Sequence, residues 1–594
     1  MSNEIRNKKL SRRQFIGTAA AGAAVISAGT LVAPRLTGAR VTGTTVARSP
    51  LPRASGSPAL RNAAQPTQVP TNWAKTADVV VVGTGLAGLA AAVAANDAGA
   101  MVTILEKMPQ TLEGGSSKVS GSQFYVPCDT GTLTPDISQG VAYLQAVAAG
   151  SVEDATIFTA QAQGFVDNLA WAKALGGNVG TSTGGSSFAS APGSAAYHTF
   201  AIALPGTPVG SNGYPVGSNG DGGIWKAFRA AVASRPITVL YSTPATSLIQ
   251  DPTTGEILGV QALANQSEVL NIKANMGVVL ACGSIEMNAA MQKQYYGFAP
   301  VYTTGCPGNT GDGVRMAQAV GADLWHMNAI FPSLGAFVVP GTDPTVYGVA
   351  PVSVKGFAVN KMGNRFNQGT AINGPVGGFA NETNASFCFD ATTLDWDAIP
   401  CWAIFDDTAR KKGPIMSTTY TPSSAPGVTG TSSWFVDYSG YKWSSDNSAE
   451  VASGWILSAN SITALAAAIA ADPDNGGKMT GAQLQATLTA YNTDAANGVD
   501  TQLLTSGATL AAVNGPPFYA MKIWPTSTNA AAGPRRNIQC QVMDPSKNPI
   551  PRLYSAGEMG AFWGWESSGG THLAECMFTG RVAGSNVANE NPWS

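Results

Sequence analysis

The stretch Asp78–Lys107 constrains the fold of this chain more than any other. Val79, Val80, Val81 and Val82 are apolar and β-branched without interruption, the pattern of a parallel strand buried on both faces. Gly83-Thr84-Gly85-Leu86-Ala87-Gly88 follows, then an alanine-rich helix that ends at Gly99, then a second apolar strand that closes on Glu106 and Lys107. The spacing has a steric reason. Gly83 makes the tight turn, Gly85 lets backbone approach a pyrophosphate, and Gly88 lets helix pack on strand. The helix N-terminus, including Leu86 and Ala87, then turns unpaired N–H groups toward an anion, and an acid about twenty residues on meets ribose hydroxyls. A glycine triplet by itself would be weak evidence; strand, turn, helix and terminal acid in one unit point to a dinucleotide.

The chain has 594 residues, enough for two or more domains. Its net charge of −2 gives no electrostatic footprint for nucleic acid. Charged residues are only 12% against 68 glycines, a composition suited to a loop-rich exported protein. The seven cysteines form no CxxC or CxxCH, which excludes the common zinc, thioredoxin-like and c-type haem motifs; no metal site is expected, and the odd count leaves at least one free thiol. Cys282, Cys388 and Cys576 read as small core residues.

At the N-terminus, Ser11-Arg12-Arg13-Gln14-Phe15-Ile16-Gly17 precedes a weakly apolar run and resembles a twin-arginine export signal, the route of proteins that fold around a cofactor before crossing the membrane. Cleavage is expected after Thr37-Gly38-Ala39, so residues 1–39 are a signal peptide and 40–74, rich in Pro, Ser and Thr, a disordered linker. The mature protein is expected in the periplasm or outside the cell, with an uncleaved, membrane-associated form as the alternative.

After the ribose acid comes a loop of small donors, Gly114, Gly115, Ser116, Ser117, Ser120 and Gly121. Further on, Met276–Gly283 reads as a strand into a glycine turn, Thr310-Gly311-Asp312-Gly313 opens a helix, and Phe357–Phe366 looks like a hairpin ending in Arg-Phe. Near the C-terminus, Ser555-Ala556-Gly557-Glu558 is followed by Gly569-Gly570-Thr571-His572-Leu573 and a last helix. Taken in order over roughly residues 75–590, these motifs resemble the FAD-binding flavoproteins of the fumarate reductase and succinate dehydrogenase family, which includes the 3-ketosteroid delta-1-dehydrogenases. The resemblance implies an α/β fold: a Rossmann-like FAD-binding domain made of residues 75–331 and 512–594, with an inserted α+β capping (substrate) domain at 332–511. It implies that Glu558 holds the ribityl chain and that the last helix N-terminus faces the flavin pyrimidine ring. With no His in the early glycine-rich loop, FAD is expected to be non-covalent. With no haem domain, electrons are exchanged with a separate redox partner such as a cytochrome or quinol dehydrogenase.

The substrate half departs from the family. Gly369 stands where fumarate reductases have an acid, Asn373 where they have the proton-donating Arg and ketosteroid dehydrogenases a Tyr, and Ser567 or Ser568 where an Arg clamps a carboxylate. A C4-dicarboxylate is therefore not expected. Asn373 can orient a carbonyl but has no proton to give near neutral pH. Candidate proton donors are Tyr302, Tyr519, Glu566 and His198, and Phe562, Trp563 and Trp565 suit an apolar or flat small molecule. The expected activity is reduction of an activated alkene; dehydrogenation of a ketosteroid-like ring, or electron transfer without an organic substrate, are the alternatives.

Replacing Arg12 and Arg13 together by Lys should leave the full-length precursor inside the cell. Fractionation of the native host tests this, and undiminished export of the variant would remove the twin-arginine assignment.

Overall fold

The computed structural model describes residues 69–593 apart from 130–131, 182–189, 205, 209–222, 266, 304, 339, 341–354, 367–388, 417–440, 442, 504–509 and 564–569. β1 (Lys75–Val82) is the middle of a mostly parallel sheet. It pairs on one side with β2 (Val102–Leu105) and on the other with β3 (Glu268–Leu280), with Val80 opposite Thr103 and Val278. Alternation along β1 divides its valines between two cores. Val79 and Val81 enter one, Val80 and Val82 the other. Both faces of the strand are thus apolar because both are covered, as the valine run requires.

The crossover from β1 to β2 is α1 (Leu86–Asp97), in which the ten residues from Leu86 to Ala95 are buried. Its alanines leave room for other backbones. A Cβ on Gly580 would come within 2.5 Å of the Ala87 carbonyl oxygen, and one on Gly584 within 2.2 Å of that of Ala91. Small residues four apart on each helix therefore set backbone against backbone.

The second sheet is built on one long strand, β4 (Phe518–Ala530). Its first half pairs antiparallel with Cys401–Asp406 and Ile456–Ala459; its second half pairs with Ile330–Ala336 and, in parallel, with Tyr302–Thr303. Two helices, Ile462–Ala470 and Gly481–Asn497, are capped by Ser461 and Thr480. They pack on this sheet through Leu465, Ile469, Leu484 and Tyr491. Behind them, Arg365 and Asp500 form a fully buried two-point ion pair at 2.8 and 3.2 Å. β5 (Pro549–Ser555) returns to the first sheet, parallel to β3, and α2 (Thr571–Val587) leaves from its end to pack on α1. Among the described residues no helix is long and apolar enough to cross a membrane.

Gly584→Val puts branched carbon where the Ala91 carbonyl already sits. It should lower the stability of the cofactor-free protein by about 2 kcal/mol or more, seen as a fall in thermal midpoint; an unchanged midpoint would contradict the close α1–α2 contact.

Candidate active site

The carboxyl ends of β1, β2, β3 and β5 converge on one cleft with about 820 Å³ of empty volume. This is where an open parallel sheet leaves a crevice between its crossovers. Gly83, Gly85, Leu86 and Ala87 form one wall; Glu106 and Lys107 form the edge beyond β2; Gly115, Ser116 and Ser117 form the opposing loop; Gly283, Asp312 and Glu558 complete the rim.

The turn at Gly83 has its reason in backbone geometry. Its φ is +109°, and a Cβ there would lie 2.5 Å from the Ala281 carbonyl oxygen. Gly88 packs the other way, its would-be Cβ 2.0 Å from the Gly83 carbonyl oxygen. Gly85 differs from both. A Cβ on it meets no protein atom closer than the Ser117 hydroxyl at 3.9 Å, so the space beside it belongs to the cleft. The N-cap residue Gly85 offers α1 no side chain, and the Leu86 N–H, expected to be unpaired, donates to Ser117 Oγ at 3.1 Å. Glu106 ties the turn to β2, accepting from the Thr84 N–H at 3.0 Å, from the Thr84 hydroxyl, and from the Met108 N–H at 2.8 Å. Since a carboxylate accepts about four hydrogen bonds, capacity remains for ribose hydroxyls. Lys107 is held by Asp312 at 2.7 Å and Thr310 at 2.8 Å.

The opposite end of the cleft is acidic. Glu558 accepts from the Asn529 amide at 2.9 Å and lies 3.7 Å from His572 Nδ1. His572, also bonded to Asn529, packs edge-on against Trp563 with ring centroids 4.4 Å apart. Burial drives the His572 pKa down to about 3, so the ring is neutral. Glu286 is fully buried. Its carboxyl accepts from the Asn309 amide at 3.3 Å. Burial raises its pKa to about 7, and burial with the nearby charge of Glu286 raises that of Glu558 well above the carboxylate range. Burial also pushes the cleft thiols of Cys282 and Cys306 up to about 12 and 11, leaving them neutral.

The remaining expected residues fall in several places. Gly114 adopts a left-handed conformation, donates its N–H to Thr84 Oγ1 at 3.1 Å, and packs under Trp225, behind the cleft wall. Ser120 bonds to the Ser117 carbonyl, and Gly121 follows it as buried backbone. Gly570 caps α2 against the Tyr125 ring, and Leu573 is buried in the first core. Tyr302 is paired to β4 and packs edge-on against Trp524, on the face of its strand opposite Thr303, while the neighbouring Gly305 abuts Ser116. Burial raises the Tyr302 pKa, which keeps its hydroxyl protonated. Tyr519 stands ten residues before Asn529 on β4, roughly 30 Å of extended strand; its hydroxyl donates to Asp407 at 3.0 Å and its ring stacks on Phe405. The structure does not bring Tyr519 to the cleft. His198 pairs with Val126, on the face of its small sheet opposite Tyr125, the residue that touches Gly570. Phe562 packs on Trp325. Asn373, Glu566, Trp565, Gly369, Ser567, Ser568 and Cys388 lie outside the described residues; the other six cysteines are free thiols. Among the described residues no group of His, Cys, Asp and Glu is arranged to hold a metal ion.

Sequence reasoning missed Glu286, Asn309, Asn529 and Trp225. Asn309 stands inside the Pro-Gly-Asn-Thr-Gly loop and could have been proposed from its place before the helix. Nothing periodic marks Glu286 or Asn529, and Trp225, whose indole donates to the Thr84 carbonyl at 2.9 Å, reaches the turn from 141 residues away.

Comparison with known proteins agrees with this geometry. A family model described as FAD binding domain matches residues 78–573. The digoxin reductase of Eggerthella lenta is 25% identical over 91% of this chain and 92% of its own, and the urocanate reductase of the same organism is 26% identical over 88% and 76%. The structure of 3-ketosteroid delta1-dehydrogenase from Sterolibacterium denitrificans in complex with 1,4-androstadiene-3,17-dione superposes with a TM-score of 0.69 at 20% identity, covering 86% of this chain and 99% of that one. The last is a likeness of fold. The residues present fit FAD: Gly85 leaves the space that backbone approach to a pyrophosphate requires, the N-terminus of α1 faces it, and Glu106 closes the ribose end.

Gly85→Val should separate fold from cofactor. Because a Cβ there meets open space, the cofactor-free variant should unfold within about 1 kcal/mol of wild type, while its purified form should carry no flavin absorbance. Full flavin occupancy in the variant would refute the assignment of this cleft.

Proposed function

The chain belongs to the FAD binding domain family, that of the fumarate reductases, and is an FAD-dependent oxidoreductase acting on CH–CH bonds; on that footing we propose that it reduces the carbon–carbon double bond of a neutral, apolar or flat compound activated by a carbonyl group. When bound, FAD supplies the hydride equivalent at its N5. The protein's part is to bind and orient the acceptor, to polarise its carbonyl and to deliver a proton.

The observation that carries this reading is that Ser567 and Ser568 stand where the family carries the Arg that clamps a carboxylate, so that position supplies no cation to an anionic substrate. A relative of nearly equal extent named digoxin reductase supports the same choice. We assign the proton to Tyr302, whose buried hydroxyl stays protonated, and the orientation of the carbonyl to Asn373. Export by the twin-arginine route and electrons from a cytochrome or quinol dehydrogenase complete the proposal.

The test is anaerobic. Reduced holoenzyme is mixed with a panel of enoates, enones and unsaturated lactones, and return of oxidised-flavin absorbance is followed. Neutral enones or lactones should reoxidise it and fumarate should not; Tyr302→Phe should slow the reaction by about 100-fold or more with flavin content unchanged. If no member of the panel reoxidises the flavin, alkene reduction is wrong, and dehydrogenation of a ring ketone by the oxidised enzyme is the next assay.

A further inference from the structure

Asn309 stands in the cleft wall between a fully buried carboxyl group and a serine of the opposing loop, and is itself buried. Its amide nitrogen serves both neighbours. Nδ2 donates to Glu286 Oε1 at 3.3 Å and to Ser116 Oγ at 3.4 Å, one hydrogen to each. The amide oxygen lies over Gly283, where a Cβ would come within 2.4 Å of it. Backbone bonds fix the residue as well: its carbonyl accepts from the Met287 N–H at 2.8 Å, and its own N–H donates to the Cys306 carbonyl at 3.2 Å.

Ser116 thus receives two hydrogen bonds on one oxygen. Beside the Asn309 amide, the Cys306 N–H reaches its Oγ at 3.1 Å, and Gly305 closes the space behind, where a Cβ would come within 2.3 Å of Oγ. A hydroxyl has two acceptor lone pairs and one hydrogen to give. With both lone pairs engaged, the hydrogen is what Ser116 has left to offer, and Ser116 lines the cleft. Nothing about packing calls for a carboxyl group at position 286; an acceptor that holds the Asn309 amide does.

We propose that Asn309 is a positioning residue for the cofactor: anchored by Glu286, its amide occupies a lone pair of Ser116 and so turns the Ser116 hydroxyl hydrogen toward FAD. Glu286 acts at one remove, through the amide, and touches neither Ser116 nor the cofactor in this scheme. The inference rests on the cleft being the FAD site, which Gly85→Val tests separately.

Release of FAD from diluted holoenzyme, followed by the rise in flavin fluorescence, reads the contact without turnover. Ser116→Ala should release FAD about tenfold faster, the effect of losing a hydrogen bond to a charged group, and Asn309→Ala should also release it faster, by up to that factor. The double variant should be no faster than Ser116→Ala, because no hydroxyl remains for Asn309 to orient. Factors that multiply in the double variant overturn the proposal, as does an unchanged rate in either single variant. Should Asn309→Ala fail to fold, Asn309→Ser, which keeps a hydroxyl for Glu286 but is shorter by one bond, enters the same cycle and is decided by the same outcomes.

Discussion

The fold rests on backbone-to-backbone approach at the start of α1. Gly88 lies on the Gly83 carbonyl, Gly580 and Gly584 lie on those of Ala87 and Ala91, and Gly557 presses on Ala87. No side chain fits into these contacts. They lock β1, α1, the end of β5 and α2 into one rigid unit, and dispersion between closely packed backbones replaces the usual interdigitation of large side chains. The cleft is what this unit leaves open, since Gly85, the glycine of the turn motif not used for packing, faces it. Position and orientation of the anion-binding helix end therefore follow from sterics before any ligand is present.

The second support is electrostatic. Arg536 is buried, and it joins Glu575 of α2 to the carbonyls of Gly557 and Met559 on either side of Glu558. Removing it would strand a carboxylate and two carbonyls in a dry interior, whereas the intact cluster fixes the Glu558 loop against α2. Arg365 and Asp500 do the same for the other sheet, joining the chain after the Phe357–Val359 strand to the chain just past the Gly481–Asn497 helix.

What was legible in the sequence is what is local or periodic. The valines of β1, the glycine turn and the acid at Glu106 lie within thirty residues, and each is constrained by backbone geometry that only certain residues allow. Tyr519 shows the limit. An aromatic residue near the start of β4 looks as eligible as Tyr302, yet Tyr302 pairs near the far end of that strand and Tyr519 pairs with Phe405 and Ser458. Distance along a strand converts ten residues into most of a domain's width, and nothing in the residue type reveals it.

The same contrast explains why cofactor and substrate differ in how plainly they can be inferred. A pyrophosphate is recognised by peptide N–H groups, so its site needs an absence of side chain at fixed spacing, and absence at fixed spacing is visible in a sequence. The acidic end of the cleft is assembled from Glu286, Asn309, Asn529, Glu558 and His572, five positions on five separate segments, whose meaning lies in how they pack together. Each residue alone is unremarkable. Together they make an acidic end to the cleft whose character no single position announces.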